Sequence, residues 1–199
     1  MTIAAKRDAT ARPLTGGETA MARLLFGDAI DYAPVRVHAA KFLPFGLQPD
    51  GVAMAPRGHL YFGAAGCRAD FSHERPALQR WFMHEMTHVW QHQLGYPVML
   101  RGAFRIGLRY RYALAPARRL GDYNMEAQGE LLADYFALAF LHAPEAVRQR
   151  RHAADLALYE MVLEDFLVDP KDPSNLPRSR LAVPAARAFA AVRSRLRRA

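Results

Sequence analysis

The run His84-Glu85-Met86-Thr87-His88 falls in the middle of residues 76–94, a segment framed as a helix. Pro76 stands in its first turn, Gly95 lies just past its end, and Pro97 follows. Histidines four apart on a helix leave from one face, about 40° apart around the axis. His84 and His88 can therefore offer two imidazole nitrogens to one zinc ion. Glu85 lies about 100° round from His84, which makes it a poor third ligand but lets its carboxylate reach a water at the metal. The spacing separates two tasks, holding a metal and removing a proton. Trp81, Val89 and their apolar neighbours are placed to bury the site.

A catalytic zinc needs a third protein ligand and an open fourth position. The best donor lies 42 residues beyond His88, in Glu126-Ala127-Gln128-Gly129-Glu130-Leu131-Leu132-Ala133-Asp134. Glu130 and Asp134 share a helix face, so Glu130 is the expected ligand and Asp134 the acceptor for the outer N–H of a ligand histidine. Glu126, one turn earlier on that face, is the rival. Glu130 is preferred because only that choice leaves an acid one turn beyond it. His92 continues the four-residue series, but the outer pair is ~12 Å apart along a straight helix, so it is read as a helix-end residue. His142 lies too far beyond Glu130 to join the same site. Tyr110, Tyr112, Tyr123 and an arginine between 101 and 119 are the candidates for stabilising an oxyanion.

The rest of the chain is helix-rich with a small sheet, an α+β single domain. Residues 19–30, 123–143 and 145–168 read as helices, and residues 35–38 and 59–62 as strands. An exposed edge at 58–62 could bind an extended peptide by main-chain hydrogen bonds; an interior strand is the equal alternative. The expected divisions are a flexible segment over 1–18, a catalytic domain over 19–168, and a linker with a basic helix over 169–199. Residues 101–114 contain two glycines and fit no element clearly.

Charge is concentrated. Of a net +8, seven arginines and no acid fall between Arg178 and the end, and residues 101–119 hold six more arginines without an acid. Such blocks suit phosphate or anionic lipid, although a solvated face with a basic tail is the favoured reading. Nucleic acid binding through the C-terminus is therefore not favoured. No apolar run approaches the ~20 residues needed to span a bilayer. No h-region follows Lys6 and Arg7, so a cleaved secretory signal is not expected and the chain reads as cytoplasmic, or exported without one. The lone Cys67 excludes an internal disulfide.

The pattern His84-Glu85-x-x-His88 with Glu130-x-x-Ala-Asp134 resembles the gluzincin metallopeptidases. Carried over by position, the resemblance implies a zincin-like fold, zinc on His84, His88 and Glu130, Glu85 as general base and Asp134 as the orienting acid. The strings FGDAIDYAPVRVH, FLPFGLQPDGVAM, GHLYF, HEMTHVWQHQ and YNMEAQGELLADYFAL, spanning residues 21–142, resemble bacterial Vgr-related proteins associated with type VI secretion. They also resemble the zincin-like core domain of contractile injection systems. This implies a zinc peptidase acting on a peptide or protein and linked to a secretion apparatus. The rivals are a zinc-stabilised adaptor without activity, a nucleic-acid-associated protease and a delivered toxin.

Overall fold

The computed structural model describes residues 11–43, 47–104 and 108–178; the leading residues 1–10 and the basic helix expected over 183–198 lie outside them. The first helix, α1 (Gly16–Phe26), opens at Thr15 rather than Thr19. The Thr15 hydroxyl accepts the Glu18 N–H at 3.0 Å, and the Glu18 carboxylate accepts the Thr15 N–H at 3.0 Å, a reciprocal cap for two orphan donors. Glu18 is fully buried and also receives Arg12 in two bonds of 2.7 and 2.8 Å and the Phe71 N–H at 3.0 Å. A buried anion is tolerable only when its lone pairs are filled in this way.

The same carboxylate explains why order begins earlier than composition suggests. Held through Arg12, β1 (Ala11–Pro13) pairs antiparallel with β2 (Arg36–His38), which pairs parallel with β3 (Leu60–Tyr61). Residues 11–18, read from sequence as part of a flexible segment, are thus strand, cap and helix start. At its other end α1 stops at Phe26, not at residue 30, because Gly27 takes a φ of 51°. The outer edge of β3 is not open: Met54 exchanges two main-chain bonds with Tyr61, at 2.9 and 3.1 Å. Leu60 and Tyr61 are buried, so this is an interior strand rather than a peptide-binding edge.

After a single turn, α2 (Gly63–Gly66), come α3 (Pro76–Gln93), α4 (Val98–Phe104), α5 (Met125–Ala139) and α6 (Leu156–Val168). The architecture is α+β with a small three-stranded sheet. Helix α5 is buried nearly all round, as a helix at the centre of a core must be. It packs along α3, and Phe26 of α1, Trp90 of α3 and Phe166 of α6 meet ring to ring at 5.3–6.2 Å. Segment 169–178, expected to be linker, is docked: Pro170 O accepts the Trp90 indole N–H at 2.8 Å, and Arg178 N–H donates to Gly121 O at 2.9 Å. Among the described residues no helix is long and apolar enough to cross a membrane.

One expected helix is shorter than its pattern. Residues 145–155 are not α-helical but form two 3-10 turns, Pro144–Ala146 and Arg150–His152, and only Leu156–Val168 is α-helix. The cause is tertiary. The Arg148 and Gln149 N–H groups, which an α-helix would spend on its own carbonyls, donate to the Asp134 carboxylate at 2.9 and 3.1 Å.

Candidate metal centre

Helices α3 and α5 run antiparallel here, and the residues that face each other form two ladders with four-residue steps. On α3 these are Arg80, His84 and His88; on α5, in reverse order, Asp134, Glu130 and Glu126. Arg80 Nε lies 2.5 Å from Asp134 Oδ1 and its Nη2 bonds Glu130 Oε2. His84 Nδ1 lies 3.5 Å from Glu130 Oε1 and its Nε2 3.4 Å from Glu126 Oε2. His88 Nε2 is 3.3 Å from that same Glu126 oxygen.

Three donors, one each from His84, His88 and Glu126, therefore lie within 4.8 Å of one another. A tetrahedral ion with bonds of ~2.0–2.1 Å keeps its ligand atoms ~3.4 Å apart, and Glu126 Oε2 stands 3.4 and 3.3 Å from the two Nε2 atoms. Borderline nitrogen and carboxylate donors of this kind suit zinc. Among the described residues the group that could hold an ion takes Glu126, the rival candidate, while Glu130 bonds Arg80 through Oε2 and lies 3.5 Å from His84 Nδ1 through Oε1. Asp134 is likewise a turn away from either histidine. Its oxygens are filled by Arg80, by the Tyr112 hydroxyl at 2.6 Å and by two backbone N–H groups.

The buried groups shift one another's protonation. Burial works against the charged forms, but Glu126 pushes His88 up to about 9, and the two histidines hold Glu126 well below the usual carboxylate range. Glu85 is different. Burial, opposed only in part by His84 and His88, raises its carboxyl, and its Oε2 is buried without a hydrogen-bond partner. His84 Nδ1 is likewise buried without a hydrogen bond, but of the two only the Glu85 oxygen belongs to a carboxyl raised by burial.

Two features that sequence reading passed over hold the imidazoles. Gly129 is one. A Cβ there would fall 2.8 Å from His84 Cε1 and 2.9 Å from Nδ1, so only glycine lets that ring lie against α5. Glycine inside a helix costs about 1 kcal/mol relative to alanine, and the close approach of His84 accounts for it. The other is a pair of amides. Gln128 Nε2 donates to two carbonyls, Leu120 O at 2.8 Å and Asn175 O at 2.9 Å. Its oxygen must then accept from Gln91 Nε2, which also donates to Met125 O. That leaves Gln91 Oε1 as an acceptor 2.8 Å from His88 Nδ1. Carbonyls cannot donate, so the direction of every link is fixed: His88 donates from Nδ1, and Nε2 is the ring nitrogen turned toward Glu126.

Of the tyrosine candidates only Tyr110 stands at the site, its ring 6.2 Å from and nearly parallel to the His84 ring. Tyr112 is buried against Asp134 and Tyr159, and Tyr123 donates to Ala113 O. His92 is exposed and packs by Gly58, and His142 is exposed beyond the end of α5; neither reaches the cluster.

The Arg80 guanidinium is 6% exposed and bridges two buried carboxylates, Glu130 and Asp134. Arg80→Met should cost about 3–5 kcal/mol, since it removes the buried cation that the two anions share. Chemical denaturation at neutral pH measures it, and a loss below 1 kcal/mol would show that the ladder does not hold the helices together.

No family model matches the sequence. Over 133 residues it is 46% identical to the type VI secretion system spike protein VgrG2b of Pseudomonas aeruginosa strain PAO1. That alignment takes in 63% of this chain and 13% of the length of the spike protein. The solved effector domain of Pseudomonas aeruginosa VgrG2b superposes with a TM-score of 0.61 at 44% identity, over 71% of this chain and 82% of that one.

Proposed function

The chain belongs to the family of the VgrG2b effector domain, and on that premise we propose that it is a zinc-dependent hydrolase, most simply a peptidase, that acts as an effector of type VI secretion. The observation that carries the reading is the convergence of His84, His88 and Glu126 with a buried, unpartnered Glu85 oxygen beside them. The gluzincin pattern is retained with its third ligand one turn earlier than sequence alone suggests.

His84, His88 and Glu126 would hold the metal. Zinc so bound would lower the pKa of a water and polarise a scissile carbonyl. Glu85 takes the proton of the attacking water and later gives it to the leaving amine, a role that suits a carboxyl raised by burial. Tyr110, the tyrosine beside His84, is the candidate for a hydrogen bond to the developing oxyanion. Three protein donors, rather than four, form the cluster among the described residues, which favours an open catalytic site over a closed structural one.

Metal analysis combined with a peptide-library digest tests the proposal. Purified protein should carry one zinc, cleave a subset of peptides, lose cleavage on chelation and regain it when zinc is restored. A chain that takes up no stoichiometric metal, or that cleaves equally well after stripping, would overturn it.

The amide pair yields a further expected result. Gln91→Leu removes the acceptor that fixes the His88 ring, and zinc affinity should fall about 10–100-fold, as it does when groups behind a ligand histidine are lost. Competition with a chelating dye measures this; unchanged affinity would mean that packing alone orients His88.

A further inference from the structure

A second concave feature adjoins the candidate centre. Tyr110, Arg111, Arg148, Gln149, Arg150 and Arg151 line a cleft of about 540 Å³, with four arginines and no acid among the described residues of its walls. One of these residues lies beside the centre and another is linked to it through Glu130. Tyr110 stacks beside His84 at 6.2 Å, and Arg148 Nη1 lies 3.7 Å from Glu130 Oε1, which in turn is 3.5 Å from His84 Nδ1.

The arginines are not a loose basic tail. Asp134 holds the backbone at residues 148 and 149 from within the core, and the Arg151 guanidinium is itself anchored on Tyr112 O. Arg148 nevertheless keeps a side chain 66% exposed. Like charges gathered in a concavity focus their field outward, and guanidinium groups match carboxylates bidentately.

We infer that this cleft is the specificity subsite of the proposed peptidase and that it takes a carboxylate of an acidic peptide, beside the bond that Glu85 hydrolyses. The inference rests on the hydrolase reading for its orientation, not for the binding itself. A confined cleft with one aromatic ring suits one or two carboxylates better than a nucleic acid strand, which needs an extended basic track and several stacking platforms.

The test uses the full chain loaded with zinc and a set of peptides of common core flanked by Glu, Gln or Lys. The Glu-flanked peptides should show a KM about tenfold below the Lys-flanked ones, with the preference shrinking as salt rises. The double variant Arg111→Ala, Arg150→Ala should lose that preference while its zinc content stays the same, and Arg111→Lys, Arg150→Lys should recover part of it. Cleavage blind to flanking charge, or a preference that survives the alanine variant, overturns the subsite and leaves the hydrolase reading standing. Fluorescence anisotropy of the same peptides on Glu85→Gln separates the two: acid-selective binding with no cleavage by the unmodified protein supports the cleft and removes the hydrolase. An oligonucleotide that displaces the Glu-flanked peptide at lower concentration than that peptide itself binds would overturn the peptide assignment.

Discussion

Glu85→Gln is expected to retain zinc and to lose hydrolysis by at least 10²–10⁴-fold, the usual share of a positioned general base. The amide keeps the shape of the carboxylate, so His84, His88 and Glu126 are undisturbed, but it cannot accept a proton. Stability gives a control that a merely damaged protein would fail. Glu85 is 4% exposed and its Oε2 has no hydrogen-bond partner, so an amide in its place breaks no bond at that atom and relieves the burial of a charge. The melting temperature should therefore stay level or rise as activity disappears. Turnover within tenfold of the unmodified protein would assign the proton transfer to another group.

Glu126→Gln and Glu130→Gln should part company, although the two acids stand four residues apart on one helix. Loss of the Glu126 carboxylate removes one of three donors, and zinc affinity should drop by more than about 100-fold, beyond the effect of losing a group behind a ligand. The effect on the fold should be small, because Glu126 faces the two imidazoles and no arginine. Glu130→Gln should bind zinc in full stoichiometry. Its cost falls on stability, at about 3 kcal/mol or more, because Arg80 loses one of its two buried partners. Isothermal titration with zinc and urea denaturation on both variants decide the matter. If Glu130→Gln sheds the metal and Glu126→Gln keeps it, the ligand set reverts to the one that acid spacing alone suggests.

Why sequence pointed to Glu130 has a physical answer. Spacing shows that Glu126, Glu130 and Asp134 share a face of α5, but it carries no information on how far α5 slides along α3. The register is set by Arg80, which stands four residues before His84 and claims the last two acids. With Arg80 counted, three steps on one helix match three on the other and Glu126 is left for the histidines. The motif itself, the helix around it and the α+β composition were legible because they rest on local periodicity. The early start of the sheet depends on Glu18 reaching Arg12 and Phe71, and the break at 145–155 depends on Asp134 taking two peptide N–H groups. Both are contacts between distant residues and leave no periodic trace. Gln91, Gln128 and Gly129 were missed for a related reason: each looks ordinary in a helix until its partner is known.

The grip of Asp134 on residues 148 and 149 engages peptide nitrogens only. Any amino acid except proline presents the same handle, so this hold does not depend on which side chains stand at 148 and 149. If the cleft recognises a ligand as proposed, its rim is thus a place where charge can be exchanged for charge without loosening the Asp134 contact that holds the loop.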